Sequence, residues 1–136
     1  MKILVIQLAR SGDIVLTLPT LRALRRSHPG AQIDVLVRKR YREAVEISDL
    51  DCSVVEFNSE FLLEPLMEER SITEAFRRAT CELMSIRSQN YDQIINLTFS
   101  PLSSYLANYL SPPKAQVRGY TRHEDGFLDL PADTSA

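Results

Sequence analysis

Apolar and polar positions alternate in blocks along this chain: short apolar runs, each followed by a longer amphipathic or polar stretch. Lys2 to Leu8 (KILVIQL) is nearly all apolar. A run with so little internal alternation predicts a strand covered on both faces, as in a parallel sheet. The loop Ala9-Arg10-Ser11-Gly12-Asp13 follows. The next stretch, IVLTLPTLRALRRS, predicts a helix. Leu18, Leu21 and Leu24, with Ala23, share one face, and Arg22, Arg25 and Arg26 take the other. Arg25 and Arg26 sit near the helix C-terminus, where positive charge suits the macrodipole. Pro19 is expected to leave Ile14 to Thr17 as a first turn or to kink the helix. His28-Pro29-Gly30 stops it.

The same reading continues to the end. Gln32 to Val37 is a second strand, Tyr41 to Ile47 a short helix, and Cys52 to Phe57 a third strand. Ser71-x-x-Glu74 has capping-box spacing. Ile72, Ala75, Phe76, Ala79, Leu83 and Ile86 then recur at helical spacing on a helix ending near Gln89. Gln93 to Leu97 is a fourth strand. Ser100-Pro101 supplies N-cap and N1 chemistry for a helix through about Leu110, closed by Pro112-Pro113. Ala115 to Tyr120 is a fifth, short strand. Strands and helices in strict alternation predict an α/β fold: a Rossmann-like, doubly wound parallel sheet of about five strands with right-handed crossovers. Residues 1–122 form this domain, and 123–136 read as a polar tail. The tail ends without a terminating element, so the chain is expected to be part of something longer, running on toward a further domain.

Composition narrows the classes. With 136 residues, 44% hydrophobic and 25% charged, the chain suits one globular domain. Lys+Arg is 16 and Asp+Glu is 18, a formal net charge of −2, which disfavours a nucleic-acid binder. The two cysteines, Cys52 and Cys81, have no metal-like spacing and read as buried apolar residues in a reducing cytoplasm. His28 and His123 are the two histidines, and neither is near a cysteine, so no metal site is expected. The N-terminal apolar run is too short for a signal peptide, and Arg10 and Asp13 interrupt it. No stretch reaches the ~20 apolar residues of a membrane span. A cytoplasmic protein is expected, with peripheral contact on the cytoplasmic face of the inner membrane as an added option. Phe61, Leu62, Leu63, Leu66 and Met67 are the candidates for that contact. The glutamates among them oppose anionic lipid, which favours packing on the sheet edge or a lid.

In an open α/β sheet, ligands bind beyond the C-terminal strand ends. Those ends carry Arg10, Ser11, Gly12 and Asp13; then Arg38, Lys39 and Arg40; then Thr98, Phe99 and Ser100; then Thr121, Arg122 and His123. Cations, hydroxyls and one acid on one rim suit a polyhydroxylated, anionic ligand. The first loop holds Gly12 alone, not G-x-G-x-x-G, and has no P-loop lysine, so no bound dinucleotide or other cofactor is expected. Gly12 offers either a backbone conformation that other residues resist or close approach of a ligand. Asp13, near a helix N-terminus, is placed either to cap the helix or to act as a base toward a hydroxyl. Arg38 and Lys39 read equally as ligand contacts or as a solvated face, and Ser100 as a cap within reach of a sugar.

The segment KILVIQLARSGDIVLTLPTLRALRRSHPGAQIDVLVR resembles the N-terminus of the ADP-heptose:lipopolysaccharide heptosyltransferases, glycosyltransferase family 9. The likeness rests on the first strand, the Ser11-Gly12-Asp13 turn, Leu16-Thr17-Leu18-Pro19, the basic helix, and His28-Pro29-Gly30 before Ile33-Asp34. Tyr91-Asp92-x-Ile94-Ile95-Asn96-Leu97 resembles the family's fourth strand. The resemblance implies the N-terminal, acceptor-binding half of a GT-B fold, with the nucleotide sugar bound by a second domain. It implies that Asp13 is the catalytic base of an inverting transfer with no bound metal. Arg10, Ser11, Gly12, Arg38, Lys39 and Ser100 are then acceptor-site candidates. The donor would be ADP-heptose, and the acceptor a lipopolysaccharide-core or other lipid-linked glycan or oligosaccharide. The chain alone is not expected to turn over. Ser59 to Arg70 is acidic and apolar where core-modifying members tend to be basic, which leaves the acceptor open. The rival reading is a stand-alone flavodoxin-like binding or regulatory module without catalysis.

Overall fold

The five apolar runs become the strands of one parallel sheet in a computed structural model that describes residues 1–68, 71–123 and 125–129. In chain order the elements are β1 (Lys2–Ile6), α1 (Ser11–Ser27), β2 (Gln32–Arg38), a 3-10 turn (Lys39–Tyr41), α2 (Arg42–Glu46) and β3 (Ser53–Phe57). Then come α3 (Ser59–Met67), α4 (Ile72–Arg87), β4 (Gln93–Asn96), α5 (Pro101–Leu110) and β5 (Gln116–Gly119). A short antiparallel ribbon, β6 (Thr121–Arg122) with β7 (Leu128–Asp129), ends the described chain. The strand order is β3-β2-β1-β4-β5. β1 is central, with Val5 opposite Val35 on one side and Ile95 on the other.

Successive side chains of β1 feed two cores, because strand side chains alternate between faces. Ile3 and Val5 pack with Ile14 and Leu21 of α1, Val35, and Val45 of α2. Leu4 and Ile6 pack with Leu36, Leu62 of α3, Ile86 of α4, and Leu106 and Leu110 of α5. Both faces are therefore covered, which is why β1 reads as a continuous apolar run. Each fully buried Ile or Leu contributes roughly 1.5–3 kcal/mol.

Several details depart from the sequence reading. α1 runs unbroken from Ser11 through Pro19, taking in the predicted loop residues Ser11, Gly12 and Asp13. The bond that Pro19 cannot make falls on the carbonyl of Val15, at an exposed position where water can replace it. Ser59 to Met67, read only as an edge segment or lid, is a helix, with Asn58 capping it by accepting from the Phe61 N–H. Leu62 and Pro65 turn inward, while Phe61, Leu63, Leu66 and Met67 stay exposed. Ser71 caps α4, but the box is half made: the Glu74 carboxylate turns to Arg77 and Arg78. Ala75 and Ile86 bury the α4 face, whereas Ile72 and Phe76, expected on that face, are exposed. Cys52 is half-buried, but Cys81 lies on the exposed side of α4. The tail contributes β7, which pairs with β6 at the end of the preceding domain, and its residues 124 and 130–136 lie outside the described residues. Among the described residues, no helix is long and apolar enough to cross a membrane.

Candidate functional site

The chain reverses its direction of travel across the sheet between β1 and β4. β1 is followed by a move to β2 and then β3 on one side, and β4 by a move to β5 on the other. At such a point the connections leave in opposite directions and a crevice opens beyond the strand ends. A cavity of about 600 Å³ lies there, lined by Leu8, Ala9, Arg10, Asp13, Arg38, Arg40, Tyr41, Thr98, Ser100 and Leu102. Four of the predicted site residues, Arg10, Asp13, Arg38 and Ser100, therefore meet on one wall system.

Local chemistry sets each of them. Asp13 is the third residue of α1, and its Oδ2 accepts from the Arg10 backbone N–H at 3.2 Å. That is only the return half of a capping box, since the Arg10 side chain has no acceptor to offer α1. Oδ1 has no partner among the described residues, and the side chain is exposed. The Asp13 carboxylate thus holds the start of α1 through one oxygen and leaves the other without a partner among the described residues. Ser100 caps α5, accepting from the Ser103 N–H at 3.2 Å, with Pro101 behind it at the start of the helix. Arg38 ends β2, opposite Phe57 of β3. Among the described residues, the side chains of Arg10, Arg38 and Lys39 have no hydrogen-bond or ion-pair partner.

Ser11 and Gly12 shape the turn without lining the cavity. The conformational option for Gly12 is corrected: it has an ordinary helical backbone, and an added Cβ would meet open space. What Gly12 leaves is clearance in front of the first turn of α1. Lys39 faces the next cavity, of about 430 Å³, between the ends of β2 and β3. Arg38 and Arg40 line both. The second cavity is largely neutralised. Arg40 is 3.6 Å from Glu60, and Arg42 pairs with Glu46 and Glu56, which hold its guanidinium above its usual pKa.

Two features at the crevice had no motif to announce them. Thr98 Oγ1 accepts from the Leu8 N–H at 2.7 Å and donates to Gln7 Oε1 at 3.1 Å, tying the end of β1 to the end of β4. Asn96 Nδ2 donates to Ser103 Oγ at 3.1 Å and to the Tyr120 carbonyl at 2.7 Å, while its Oδ1 accepts from the Thr98 N–H. Gly119 makes that approach possible: its φ is +85°, and a Cβ there would lie 2.2 Å from the Asn96 carbonyl oxygen. The available signals were the place of Thr98 among the strand-end residues, that of Asn96 in the Tyr91 to Leu97 segment, and a glycine in the fifth predicted strand, none of which foretold the bonds themselves. Among the described residues, no three His, Cys, Asp or Glu side chains converge as metal ligands do.

No family model matches the chain, and no curated protein matches it. Solved structures do. The E. coli heptosyltransferase WaaC, solved with ADP-2-deoxy-2-fluoro heptose, is 18% identical with a TM-score of 0.66, over 88% of this chain and 36% of that one. A glycosyl transferase family 9 protein from Veillonella parvula DSM 2008 is 22% identical with a TM-score of 0.69, over 88% of this chain and 32% of that one. The E. coli ADP-heptose lps heptosyltransferase II is 21% identical with a TM-score of 0.60, over 83% of this chain and 29% of that one. The chain thus spans about a third of the length of the solved structures it matches. At these identities the likeness is one of fold, and it falls on the same kind of protein that the first strand, turn and helix resemble in sequence.

Proposed function

We propose that this chain is the acceptor-binding part of a glycosyltransferase of the heptosyltransferase kind, with Asp13 as the catalytic base. The observation that carries the reading is the convergence of Asp13, Arg10, Arg38 and Ser100 on one cavity at the switch point of the sheet. The fold likeness to heptosyltransferases and a family 9 glycosyltransferase supports it.

The acceptor enters the cavity with a sugar hydroxyl toward Asp13. One carboxylate oxygen stays anchored on the Arg10 N–H, which holds the group in place while the other takes the hydroxyl proton. The oxygen so activated forms a bond to the anomeric carbon of the donor. The bond from that carbon to the nucleoside diphosphate breaks, and the diphosphate leaves with the electron pair. Attack opposite the leaving group inverts the configuration. Arg10 and Arg38, without side-chain partners among the described residues, are available to an anionic group on the acceptor, and Ser100 to a hydroxyl. In this reading the donor is a nucleotide sugar, ADP-heptose by resemblance, and it is held by a second domain across the cleft. The acceptor is a lipopolysaccharide-core or other lipid-linked glycan, met in the cytoplasm or at the inner-membrane surface. The step itself invokes no metal or cofactor.

The test is a transfer assay on the enzyme that carries this chain, located by reading the coding DNA past codon 136. Asp13→Asn should lower transfer about a hundredfold or more while leaving the unfolding midpoint in place. Near-wild-type transfer by that variant would remove the base assignment. A stop directly after codon 136 would favour the stand-alone binding module, which needs neither Asp13 nor a second domain.

A further inference from the structure

The cavity at the switch point has a neighbour that the proposed mechanism does not use. It holds about 430 Å³, within the roughly 300–1,000 Å³ of small-ligand sites. Arg38 and Arg40 line both cavities, so the two share a wall. The first opens beyond β1 and β4, the second beyond β2 and β3. In the strand order β3-β2-β1-β4 those two gaps are two strand spacings apart, about 10 Å. Two linked sugar rings can bridge that step.

The two cavities differ in charge. The first is lined by three arginines, Arg10, Arg38 and Arg40, against one carboxylate, Asp13. The second sets cations against carboxylates in equal number. Arg40 lies 3.6 Å from Glu60, and Arg42 is held by Glu56. Lys39 and Glu43 line the same cavity, and neither side chain has a partner among the described residues. The shared Arg38 aside, three cations face three carboxylates. An anion placed there meets as much repulsion as attraction. A hydroxyl does not, because it donates to a carboxylate and accepts from an ammonium or guanidinium. A wall of alternating charge therefore serves a hydroxyl in both of its roles, through charge-assisted bonds.

We propose that the second cavity is a sugar-binding subsite for a neutral, polyhydroxylated unit, joined to the anionic unit held beside Asp13. The inference rests on the reading of the first cavity as the acceptor site and deepens it. The acceptor is then at least two units long and runs across the strand ends from β4 toward β3. The order of its units is set by the walls: negative charge at the switch point, hydroxyls alone one unit further on. Arg38, on the shared wall, serves an anionic group at the junction. Lys39 and Glu43 set the specificity of the second unit. A second anionic unit would be set against Glu43, and a cationic one against Lys39.

The test uses the isotope-labelled chain and solution NMR with two probes: gluconate, an anionic unit alone, and lactobionate, in which a neutral galactose is joined to gluconate. Gluconate should move the backbone signals of Ala9 to Asp13 and leave those of Asn58 to Glu60 in place. Lactobionate should move both sets along one saturation curve. It should bind about tenfold tighter than gluconate, because the second contact is made within one ligand. Lys39→Ala together with Glu43→Ala should bring lactobionate down to the affinity of gluconate. The urea midpoint should hold, since both side chains are exposed and without partners among the described residues. If lactobionate moves Ala9 to Asp13 alone and binds no tighter than gluconate, the inference is overturned and the acceptor-site reading stands. The same follows if the folded double variant keeps the full gain. Gluconate moving Asn58 to Glu60 as readily as lactobionate does would make the second cavity an anion site and overturn the inference too. If neither probe moves Ala9 to Asp13 or Ser100, the acceptor-site reading falls and takes this inference with it. Should the double variant fail to fold, the wild-type signals and affinities decide alone.

Discussion

The two ends of the sheet are built from the same strands and treat their polar groups in opposite ways. At the N-terminal end they close on one another. The Tyr91 hydroxyl donates to Asp34 Oδ2 at 2.6 Å inside the core, and Gln32 Nε2 donates to the same carboxylate at 3.0 Å. The Lys2 N–H donates to Asp92 Oδ2 at 2.7 Å, and Lys2 Nζ reaches the Gln89 carbonyl. Arg25, from the end of α1, binds the carbonyls of Ala31 and Asp51. At the C-terminal end Thr98 and Asn96 are tied down, but other polar groups beside them are not. Arg10, Arg38 and Asp13 line a cavity, and among the described residues the two guanidinium groups and one oxygen of Asp13 have no partner. A group that already has its partner contributes to stability, and one that lacks it is available to a ligand. The difference is what the proposed function would require, with one end holding the fold and the other left to bind.

That contrast breaks if substitutions at the two ends have the same consequence. The largest difference in stability is expected from Tyr91→Phe. It removes a hydroxyl that burial, reinforced by the neighbouring Asp34 carboxylate, keeps protonated, with its pKa pushed up. It leaves the buried Asp34 with Gln32 as its remaining side-chain donor. Unfolding in urea should lose about 1–3 kcal/mol, seen as a lower midpoint with an unchanged slope, and the cavity should bind its probes as before. A stability equal to wild type would mean that the N-terminal end is not the holding end.

The paired change Arg10→Ala with Arg38→Ala should do the reverse. Binding of an anionic probe should weaken about tenfold, with a reduced dependence on salt, while the urea midpoint holds. A fall in the midpoint with binding intact would mark both arginines as part of the scaffold.

The smallest effect sharpens the contrast away from the sheet. The Glu74 carboxyl on α4 is held down to about 2, below the usual glutamate value of 4.5, first by its hydrogen bond to Arg77, then by that to Arg78. A carboxylate with a lowered folded-state pKa contributes stability that is complete above its unfolded pKa. That contribution drains as pH falls from about 4.5 toward about 2. The pair is exposed, so the slope is small, and Glu74→Gln should flatten it in acid titrations of the unfolding midpoint. An unchanged slope in that variant would place the acid sensitivity elsewhere.

Much of this was legible in the residues. The sheet and its alternation with helices follow from apolar runs that must be covered on both faces, and β1 to β5 fall where KILVIQL and its successors place them. Ser71 and Ser100 cap the helices their spacing announces, because a cap is a local bond between a side chain and an amide three residues on. The turn at Ser11 to Asp13 was legible as a candidate site because it follows a buried strand. Its helical form was not, since Gly12 and Pro19 are both poor local evidence for a helix and tertiary packing of Ile14 and Leu21 overrode them. α3 went unread because its apolar residues, FLL and LM, are close to continuous and carry no clear period.

Sequence alone determined the elements, their order, and the identity of the charged groups at the strand ends, because those depend on propensity, periodicity and bonds between near neighbours. The tertiary structure alone decided which of those groups meet. Asp13 and Ser100 are far apart in sequence and line one cavity only because β4 inserts beside β1. Lys39, next to Arg38 in the chain, faces a different cavity because the chain turns in a 3-10 step after β2. Thr98 reaches the Gln7 carboxamide with its hydroxyl, 91 residues away in the chain, only because β4 lies beside β1. Partnership between distant polar groups is set by strand order and register, and neither can be read from local pattern.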